Sequence, residues 1–325
     1  SISGMYPDVA LLDIASMHPH SALAMLAFGP YTKQYENLID ARVHIKHEEY
    51  SQCESMFDGK LMKFLDDPEE AYSLSTCLKL PINSVYGLTS ASFKNEFKDD
   101  RNVNNIIALR GALFMIDLKH EVKKRGFIVA HIKTDSIKIP NATPEIIQFV
   151  MDYGKQYGYT FEHEATYSKM CLVNRAVYIA RYAKPHIDKK TGREIWWTAT
   201  GAEFQVPYVF KTLFSKEPIT FFDMTETKAV TSALYLDMNE NLAEGEHDYQ
   251  FVGRVGLFCP VKEGHNGGLL MRQSADDKYA AATGTTGWRW LEADYIRKHR
   301  LNDAIDERYF IGLCDAAKDH ISAYG

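Results

Sequence analysis

Two short apolar runs, far apart in the chain, each end in an aspartate. Residues 9–13 read VALLD, and residues 127–135 read FIVAHIKTD. Short apolar runs of this kind predict buried strands. A carboxylate among apolar strand residues is costly unless it is paired or binds a cation. If the two strands are neighbours in one sheet, Asp13 and Asp135 lie at the same edge and could together hold divalent cations. Alone, either aspartate is more simply explained as the cap of a turn.

The remaining pattern predicts an α+β fold, with helices between and after these strands. The segment after Asp13 is polar and largely helical to about Asp66, and a helix over residues 69–86 ends at Gly87 as its cap. A long amphipathic helix is expected over residues 102–125. Its predicted apolar face consists of Val103, Ile107, Leu113, Phe114, Leu118 and Val122.

The second half alternates strand-like and helical patterns. A hairpin turns at residues 133–136, and Thr143 and Pro144 begin a helix that runs to about Gly158. Strands are then predicted at residues 159–164, 176–182 and 194–204, with a basic turn at 184–193. Beyond Pro207 the pattern is mixed and more helical.

The composition is that of a globular protein. The 325 residues are 46% hydrophobic and carry a net charge of −6, so the chain as a whole does not have the basic character of many nucleic-acid-binding proteins. Five scattered cysteines argue against a disulfide framework or a zinc site and favour a reducing, cytoplasmic compartment. No apolar run reaches the ~18–20 residues of a membrane span, so no membrane partner is expected. Because the sequence begins without Met or a signal peptide, we interpret it as a piece of a longer protein.

A third segment with chemical potential reads KLPINSVYG, from Lys79 to Gly87. On a helix, Lys79, Asn83 and Tyr86 share one face, because they are three and four residues apart. A lysine there can bind a triphosphate as a point charge, and an aromatic ring one turn later can lie under a base pair. Taken alone, the segment is more simply a solvated lysine and a Tyr-Gly helix end.

Together the three segments resemble family B DNA polymerases. DIASMHP, from Asp13, resembles motif A, KLPINSVYG resembles motif B, and HIKTDS, ending at Ser136, resembles motif C. The motifs occur in the family order, and the resemblance covers roughly residues 8–205. Residues 165–182, which contain Tyr178, resemble the region of the primer-strand motif. The chain is most similar to the polymerase half of a bacteriophage replicative enzyme.

The resemblance implies a right-hand fold with an antiparallel palm, short helical fingers and a mixed thumb. The palm is assigned to residues 1–35 and 91–204, the fingers to 36–90 and the thumb to 205–325. The implied activity is template-directed addition of dNMPs to a primer 3′-hydroxyl, with two Mg²⁺ ions as cofactors and Mn²⁺ as a substitute.

The resemblance also assigns roles to individual residues. Asp13 and Asp135, with the carbonyl of Ile14, are the implied metal ligands and catalytic centre. The implied nucleotide-binding residues are Ser16, Met17, His18, Lys79, Asn83 and Tyr86, with Lys60 and Lys63 as unranked candidates for a second phosphate-binding cation. The implied DNA contacts are Gly87, Lys133, Thr134, Arg175 and Tyr178.

The sequence departs from the family at three positions. Lys133 stands where motif C has its first acid, so the site rests on two carboxylates, and we expect its metal binding to be reduced or retuned. His18 stands where the family has the tyrosine that excludes a 2′-hydroxyl, so we expect weaker sugar discrimination. Ala176 replaces a family lysine, and Arg175 either takes over its phosphate contact or is an ordinary surface arginine.

The expected partners are primer–template DNA, dNTPs, the exonuclease portion of the parent polymerase and replication accessory proteins. Residues 165–230 carry ten Lys and Arg against six Asp and Glu, which suits contact with duplex phosphates. The run from Glu162 to Glu164 is expected at a solvated edge, with Glu164 as an outlying candidate for the metal site. Two alternatives remain open: a catalytically weak or inactive DNA-binding scaffold, and a polymerase with relaxed sugar selectivity of the primase-like or lesion-bypass kind.

Overall fold

The computed structural model describes residues 2–188, 191–275 and 277–324, with the side chain of Val103 left out. Contacts divide these residues into two compact units. The first comprises residue 2 and residues 6–169, and the second comprises residues 3–5 and 170–324. Both contain strands and helices, so the expected α+β class is confirmed.

The first unit is built from four strands and five helices, joined in places by short 3-10 turns. In chain order these are β1 (Gly4–Ile14), α1 (Met17–Ala24), α2 (Thr32–Lys46), α3 (Pro68–Leu88), α4 (Ile106–Lys124), β2 (His131–Lys133), β3 (Ser136–Pro140), α5 (Pro144–Gln156) and β4 (Phe161–Leu172). The last residues of β4 belong to the second unit.

The strands of the first unit follow the order β2-β3-β1-β4. β1 pairs antiparallel with β3, and β3 pairs antiparallel with β2. Because side chains alternate along a strand, Leu12 and Ile14 of β1 share a face with Ile137 and Ile139 of β3. These residues are buried against the apolar sides of α4 and α5, which include Leu118. One face of the sheet is therefore apolar core.

The helices α1, α2 and α3 form a second layer of the same unit. Tyr35 and Ile39 of α2 pack with Ala22 of α1 and Ile82 of α3 in one buried cluster. The Tyr35 hydroxyl donates to the carbonyl of Ile82 over 2.9 Å. This packing fixes which sides of α2 and α3 remain available to a ligand.

The second unit contains seven strands and four helices. They are β5 (Tyr178–Ile187), β6 (Glu194–Thr200), α6 (Ala202–Gln205), α7 (Pro207–Phe210), β7 (Glu226–Asp237), β8 (Tyr249–Val261), β9 (Leu269–Ala275), β10 (Lys278–Ala281), β11 (Arg289–Glu292), α8 (Ala293–His299) and α9 (Arg308–Ser322). β7 to β11 form an antiparallel sheet in the order β10-β9-β7-β8-β11. Its core surrounds the buried side chains of Phe258, Trp290 and Phe310.

Several local predictions are confirmed. The Thr143 hydroxyl accepts from the backbone N–H of Ile146 at the start of α5, as expected for an N-cap. Gly126 has φ +86° just after α4, a conformation that favours glycine. The hairpin turns at Thr134 and Asp135, between β2 and β3.

Other predictions are wrong. The region beyond Pro207 is dominated by a five-stranded sheet rather than by helices. Gly87 lies inside α3 instead of capping it, and Leu113 is 65% exposed although its spacing predicted burial. The predicted turn at 184–193 is partly strand, because β5 continues to Ile187. Residues 189 and 190 of that turn, and the predicted burial of Val103, lie outside the described residues.

Among the described residues, no helix combines the length and the apolar character that crossing a membrane requires. The five cysteines are all free.

Candidate active site

The two strand-ending aspartates lie at adjacent strand ends. Asp13 is directly opposite Ser136 in the β1–β3 ladder. The N–H of Ile14 donates to the carbonyl of Asp135 over 2.9 Å. The strand beside β1 is β3, which follows Asp135, whereas β2, which precedes Asp135, lies on the other side of β3. The two runs that end in aspartate are therefore not neighbouring strands, but Asp13 and Asp135 line one cavity.

The polar face of the sheet carries further charged residues. Cross-strand pairing places Asp13, Ser136, Lys138, His131 and Lys133 on the face opposite the apolar core. Those on one strand are an even number of positions apart, and those on neighbouring strands are directly opposite one another, so their side chains lie on the same face. This face therefore brings acids and amines together.

β4 contributes two glutamates to the same cavity. Phe161 packs in the apolar core, so alternation sends the side chains of Glu162 and Glu164 to the other face, and both line the cavity. His163, between them, contacts the Thr166 hydroxyl over 3.0 Å. The separation of His163 from both glutamates is as predicted. Glu164 is exposed, as expected of a solvated edge, whereas Glu162 is half-buried.

Burial and the neighbouring acids raise the pKa of Asp13. Burial, followed by the charges of Asp135 and Glu164, raises the pKa of Asp13 from 3.8 to about 7. Lys138 acts in the opposite direction on the pKa of Asp13. Burial and nearby negative charge both disfavour the ionised form of Asp13, and a bound cation would favour it.

Two non-glycine residues beside the aspartates have left-handed backbone conformations. Ser16 has φ +52°, and Thr134 has φ +51°. Such conformations cost ~1–3 kcal/mol each and occur preferentially at functional sites. Ser16 lies just after β1, and Thr134 lies in the β2–β3 turn. Their backbone conformations therefore help to position Asp13 and Asp135.

The cavity is also lined by basic side chains. Arg42 and Lys46 of α2 and Lys79 of α3 all line it. Arg42 Nη1 lies 3.4 Å from the Ser16 hydroxyl, and its Nε is buried without a hydrogen-bond partner. Burial lowers the pKa of Arg42 from its usual value. A cavity lined by both carboxylates and cations suits a metal-bound polyphosphate in charge.

Lys46 is already paired. Its Nζ lies 3.0 Å from Glu162 Oε2, and His47 Nε2 lies 2.9 Å from Glu162 Oε1. Burial acts to raise the pKa of Glu162, but the hydrogen bonds from Lys46 and His47 lower it overall. Glu162 is therefore engaged by α2.

The candidates Lys60 and Lys63 are not among the residues that line the cavity. Lys60 pairs with Asp58 over 3.4 Å, and Lys63 lies over the ring of Phe64. The lining cations that precede Lys79 in the chain are Arg42 and Lys46, which the motif comparison missed. Their i,i+4 spacing on a predicted helix was the available signal.

The third wall of the cavity is aromatic. His18 of α1 stacks on Tyr86 of α3, with ring centroids 5.3 Å apart and planes 5° from parallel. The Nδ1 atom of His18 is buried without a hydrogen-bond partner. The Tyr86 hydroxyl donates to Asn105 Oδ1 over 3.0 Å, which fixes the ring. An unsatisfied buried imidazole nitrogen is free to bond a ligand group.

Ile14, Ser16, Met17 and Asn83 also line the cavity, whose volume is about 590 Å³. Gly87, Lys133 and Thr134 are exposed and do not line it. The remaining predicted residues belong to the second unit, where Arg175 is exposed in the loop before β5 and Tyr178 begins β5, 7% exposed.

The donor set suits a hard divalent cation. Carboxylate and carbonyl oxygens are the ligands that Mg²⁺ and Mn²⁺ accept, and Asp13 and Asp135 line the same cavity. Within the described ranges, no three His, Cys, Asp or Glu side chains already form a metal-holding group. The residues fit Mg²⁺ by chemistry and charge.

Replacing Asp13 by Asn should stabilise the metal-free protein at pH 8. With its folded pKa near 7 and its unfolded pKa near 3.8, native Asp13 binds a proton across pH 4–7 when the unfolded chain does not. The free energy of unfolding therefore falls as pH rises through that window. Because Asp13 is half-buried, we expect only about 1–2 kcal/mol after solvent screening.

This prediction is checked by urea unfolding in EDTA at pH 5 and pH 8. The stability advantage of Asp13→Asn over wild type should grow between the two pH values and shrink when Mg²⁺ is added. Asp100→Asn, at an exposed carboxylate, is the matched control. Equal pH dependence in wild type and Asp13→Asn would contradict the assignment.

Comparison with known proteins gives limited matches. No protein-family model matches the sequence, and no curated protein does. One solved structure that matches is the family B DNA polymerase from the hyperthermophilic archaeon Pyrobaculum calidifontis, with a TM-score of 0.49 and 13% identity. The match covers 99% of this chain and 46% of that polymerase, so the chain spans about half its length.

Proposed function

We propose that this chain is the polymerase module of a DNA-directed DNA polymerase of family B, of the bacteriophage replicative type. One observation carries the proposal: residues of three separate sequence motifs line a single cavity. Asp13 comes from motif A, Lys79, Asn83 and Tyr86 from motif B, and Asp135 from motif C. If the three short motifs resembled the family only by chance, their residues would have no reason to line the same cavity.

The acidic end of the cavity serves the reacting phosphate. In this proposal Asp13, Asp135 and the Ile14 carbonyl hold two Mg²⁺ ions, with Mn²⁺ as a substitute. When bound, the ions would activate the primer 3′-hydroxyl and stabilise charge on the α-phosphate and the leaving pyrophosphate. The carboxylates supply oxygen ligands and negative charge from a rigid sheet, so that little reorganisation is needed.

The cations that line the cavity bind the triphosphate. Arg42 and Lys79 oppose its negative charge, and the hydroxyl of Ser16 stands beside Arg42. The first-turn N–H groups of α1, which include that of Met17, have no partner within the helix and can donate to phosphate oxygens. These contacts hold the dNTP with its triphosphate between the cations and the carboxylates.

The aromatic wall holds the sugar and base. Tyr86 and Asn83 line the nascent base pair, and His18 lies beside the sugar. Gly87, Lys133, Thr134, Arg175 and Tyr178 are proposed to contact primer–template DNA. The palm is then residues 1–35 and 91–204, the fingers 36–90 and the thumb 205–325.

Primer extension tests the proposal directly. The purified chain, a labelled primer–template and dNTPs should give Mg²⁺-dependent, template-directed addition, measured with each dNTP alone to read the template rule. Because Lys133 replaces an acid of motif C, a DNA-binding scaffold is the competing function. Salt-sensitive DNA binding without nucleotide addition in Mg²⁺ or Mn²⁺ would select the scaffold.

His18→Tyr should increase discrimination against ribonucleotides. The imidazole is smaller than a phenol ring, and its unpartnered Nδ1 can accept a hydrogen bond from a sugar hydroxyl. We expect the ratio of kcat/KM for dNTP over rNTP to rise by roughly 10–100-fold, the range of a steric pocket contact.

The measurement is single-nucleotide addition opposite one template base, with matched dNTP and rNTP. His120→Tyr, at an exposed histidine of α4, is the control for adding a tyrosine elsewhere. Identical sugar selectivity in wild type and His18→Tyr would refute the role of His18. It would not contradict the proposal that the chain is a polymerase.

A further inference from the structure

A buried lysine lies near the acidic end of the cavity without lining it. Lys138 belongs to β3, in which every residue is buried, and it is 2% exposed. Its Nζ lies 3.3 Å from the Ser136 hydroxyl and 3.4 Å from His131 Nδ1. A fully buried lysine is uncommon, because removing an ammonium from water is costly.

The Lys138 side chain lies on the polar face of the sheet. Lys138 is opposite Leu11 of β1, two residues before Asp13, so it shares the polar face with Asp13. Burial lowers the pKa of Lys138 from 10.5 to about 8, while the charges of Asp13, Asp135 and Glu164 act to raise it. The ammonium is therefore within electrostatic range of all three acids.

Fold stability alone does not explain an ammonium at this position. The strand is an interior strand of the sheet, where an apolar side chain of similar volume would avoid the desolvation cost. Such a cost is retained where the charge serves a site. The charge here acts on Asp13, because it opposes the increase in the pKa of that carboxyl.

We propose that Lys138 is a positioning residue, a fixed internal positive charge that weakens divalent-cation binding by Asp13 and Asp135 and so sets the cation concentration that the site requires. The inference rests on the proposed function, since it assumes that these carboxylates hold the cations. Lys133 shares the face but is exposed, so water screens its charge more strongly. The charge of Lys138 should therefore affect cation binding more than the charge of Lys133 does.

The test is Mn²⁺ affinity of the full chain, measured at pH 7 by the electron paramagnetic resonance signal of free Mn²⁺. Lys138→Met retains the volume without charge, and Lys138→Gln also retains a donor amide. Each is expected to bind Mn²⁺ about tenfold more tightly than wild type, the size of one nearby charge acting on a divalent ion. Lys138→Arg, which retains the charge, should bind as weakly as wild type.

Lys133→Met is the matched control and should change the affinity by less than about twofold. Unchanged affinity in whichever of Lys138→Met and Lys138→Gln folds would overturn the inference, as would an equal gain in Lys133→Met. Nucleotide addition is measured on the same preparations. Polymerase activity with unchanged Mn²⁺ affinity refutes only the role of Lys138, whereas a wild-type chain that binds no Mn²⁺ refutes both proposals.

Discussion

Asp13→Asn and Asp135→Asn should each lower kcat for nucleotide addition by at least about a thousandfold, the scale of removing a charged group that holds catalytic metal ions. An amide supplies one neutral oxygen where a carboxylate supplies two that share a negative charge. Asparagine is nearly isosteric, so the strand ends at β1 and β3 need not change. The expected loss therefore reports charge and ligation rather than shape.

The measurement is single-turnover addition of one dNMP in Mg²⁺, with DNA affinity determined separately. DNA binding should change little, because most contacts to a duplex are made to its phosphates by basic groups. Asp100→Asn serves again as the control. Because Asp13→Asn is expected to stabilise the metal-free fold at pH 8, a loss of activity in that variant cannot be attributed to unfolding.

Near-normal rates in both variants would reject two-metal catalysis at this site. A loss in only one would mean that the other carboxylate is structural, for example as a cap of its turn. Recovery of activity by Mn²⁺ in one variant would instead indicate that its remaining ligands still hold a cation.

The sequence predicted the positions of site residues best where their spacing along one helix or strand determines which residues lie together. The proximity of Asp13 and Asp135 was expected from two apolar runs paired side by side, but it arises because β3, the strand after Asp135, pairs with β1. The spacing of Lys79, Asn83 and Tyr86 predicted one helix face, and all three line the cavity. In that case a single helix determines the positions.

The rest depends on tertiary packing, which no local pattern contains. Arg42 and Lys46 reach the cavity only because α2 packs on α3 through Tyr35 and Ile39. Lys138 reads as an exposed polar position of an alternating strand, yet it is buried.

The sheet of the second unit was missed for a different reason. β8 contains Gly253, Gly256 and Pro260, residues that usually interrupt strands. The pairing of β7 with β8 shifts register near Gly253, whose φ of +139° few other residues adopt. A bulge of this kind lets the strand continue through a glycine. The glycines and the proline of β8 therefore do not end the strand, although their presence suggests a turn.

Arg42→Met should raise KM for dNTP by roughly 10–100-fold, the scale of losing one or two charge-assisted hydrogen bonds. Arg42 is partly buried, its Nε has no partner within the protein, and water screens its charge less than that of a surface residue. Lys79→Met should have a smaller effect, since Lys79 is exposed on α3. Lys46→Met should have the smallest, because Glu162 already compensates its charge.

Lys60→Met and Lys63→Met are the matched controls, since neither lysine lines the cavity. Steady-state addition with varied dNTP gives KM, and inhibition by pyrophosphate reports the same phosphate contacts without the base or sugar. If Arg42 binds the triphosphate, its replacement raises KM and the pyrophosphate inhibition constant together. A large KM increase in Lys60→Met or Lys63→Met, with none in Arg42→Met, would place the triphosphate site away from α2 and contradict the role of Arg42.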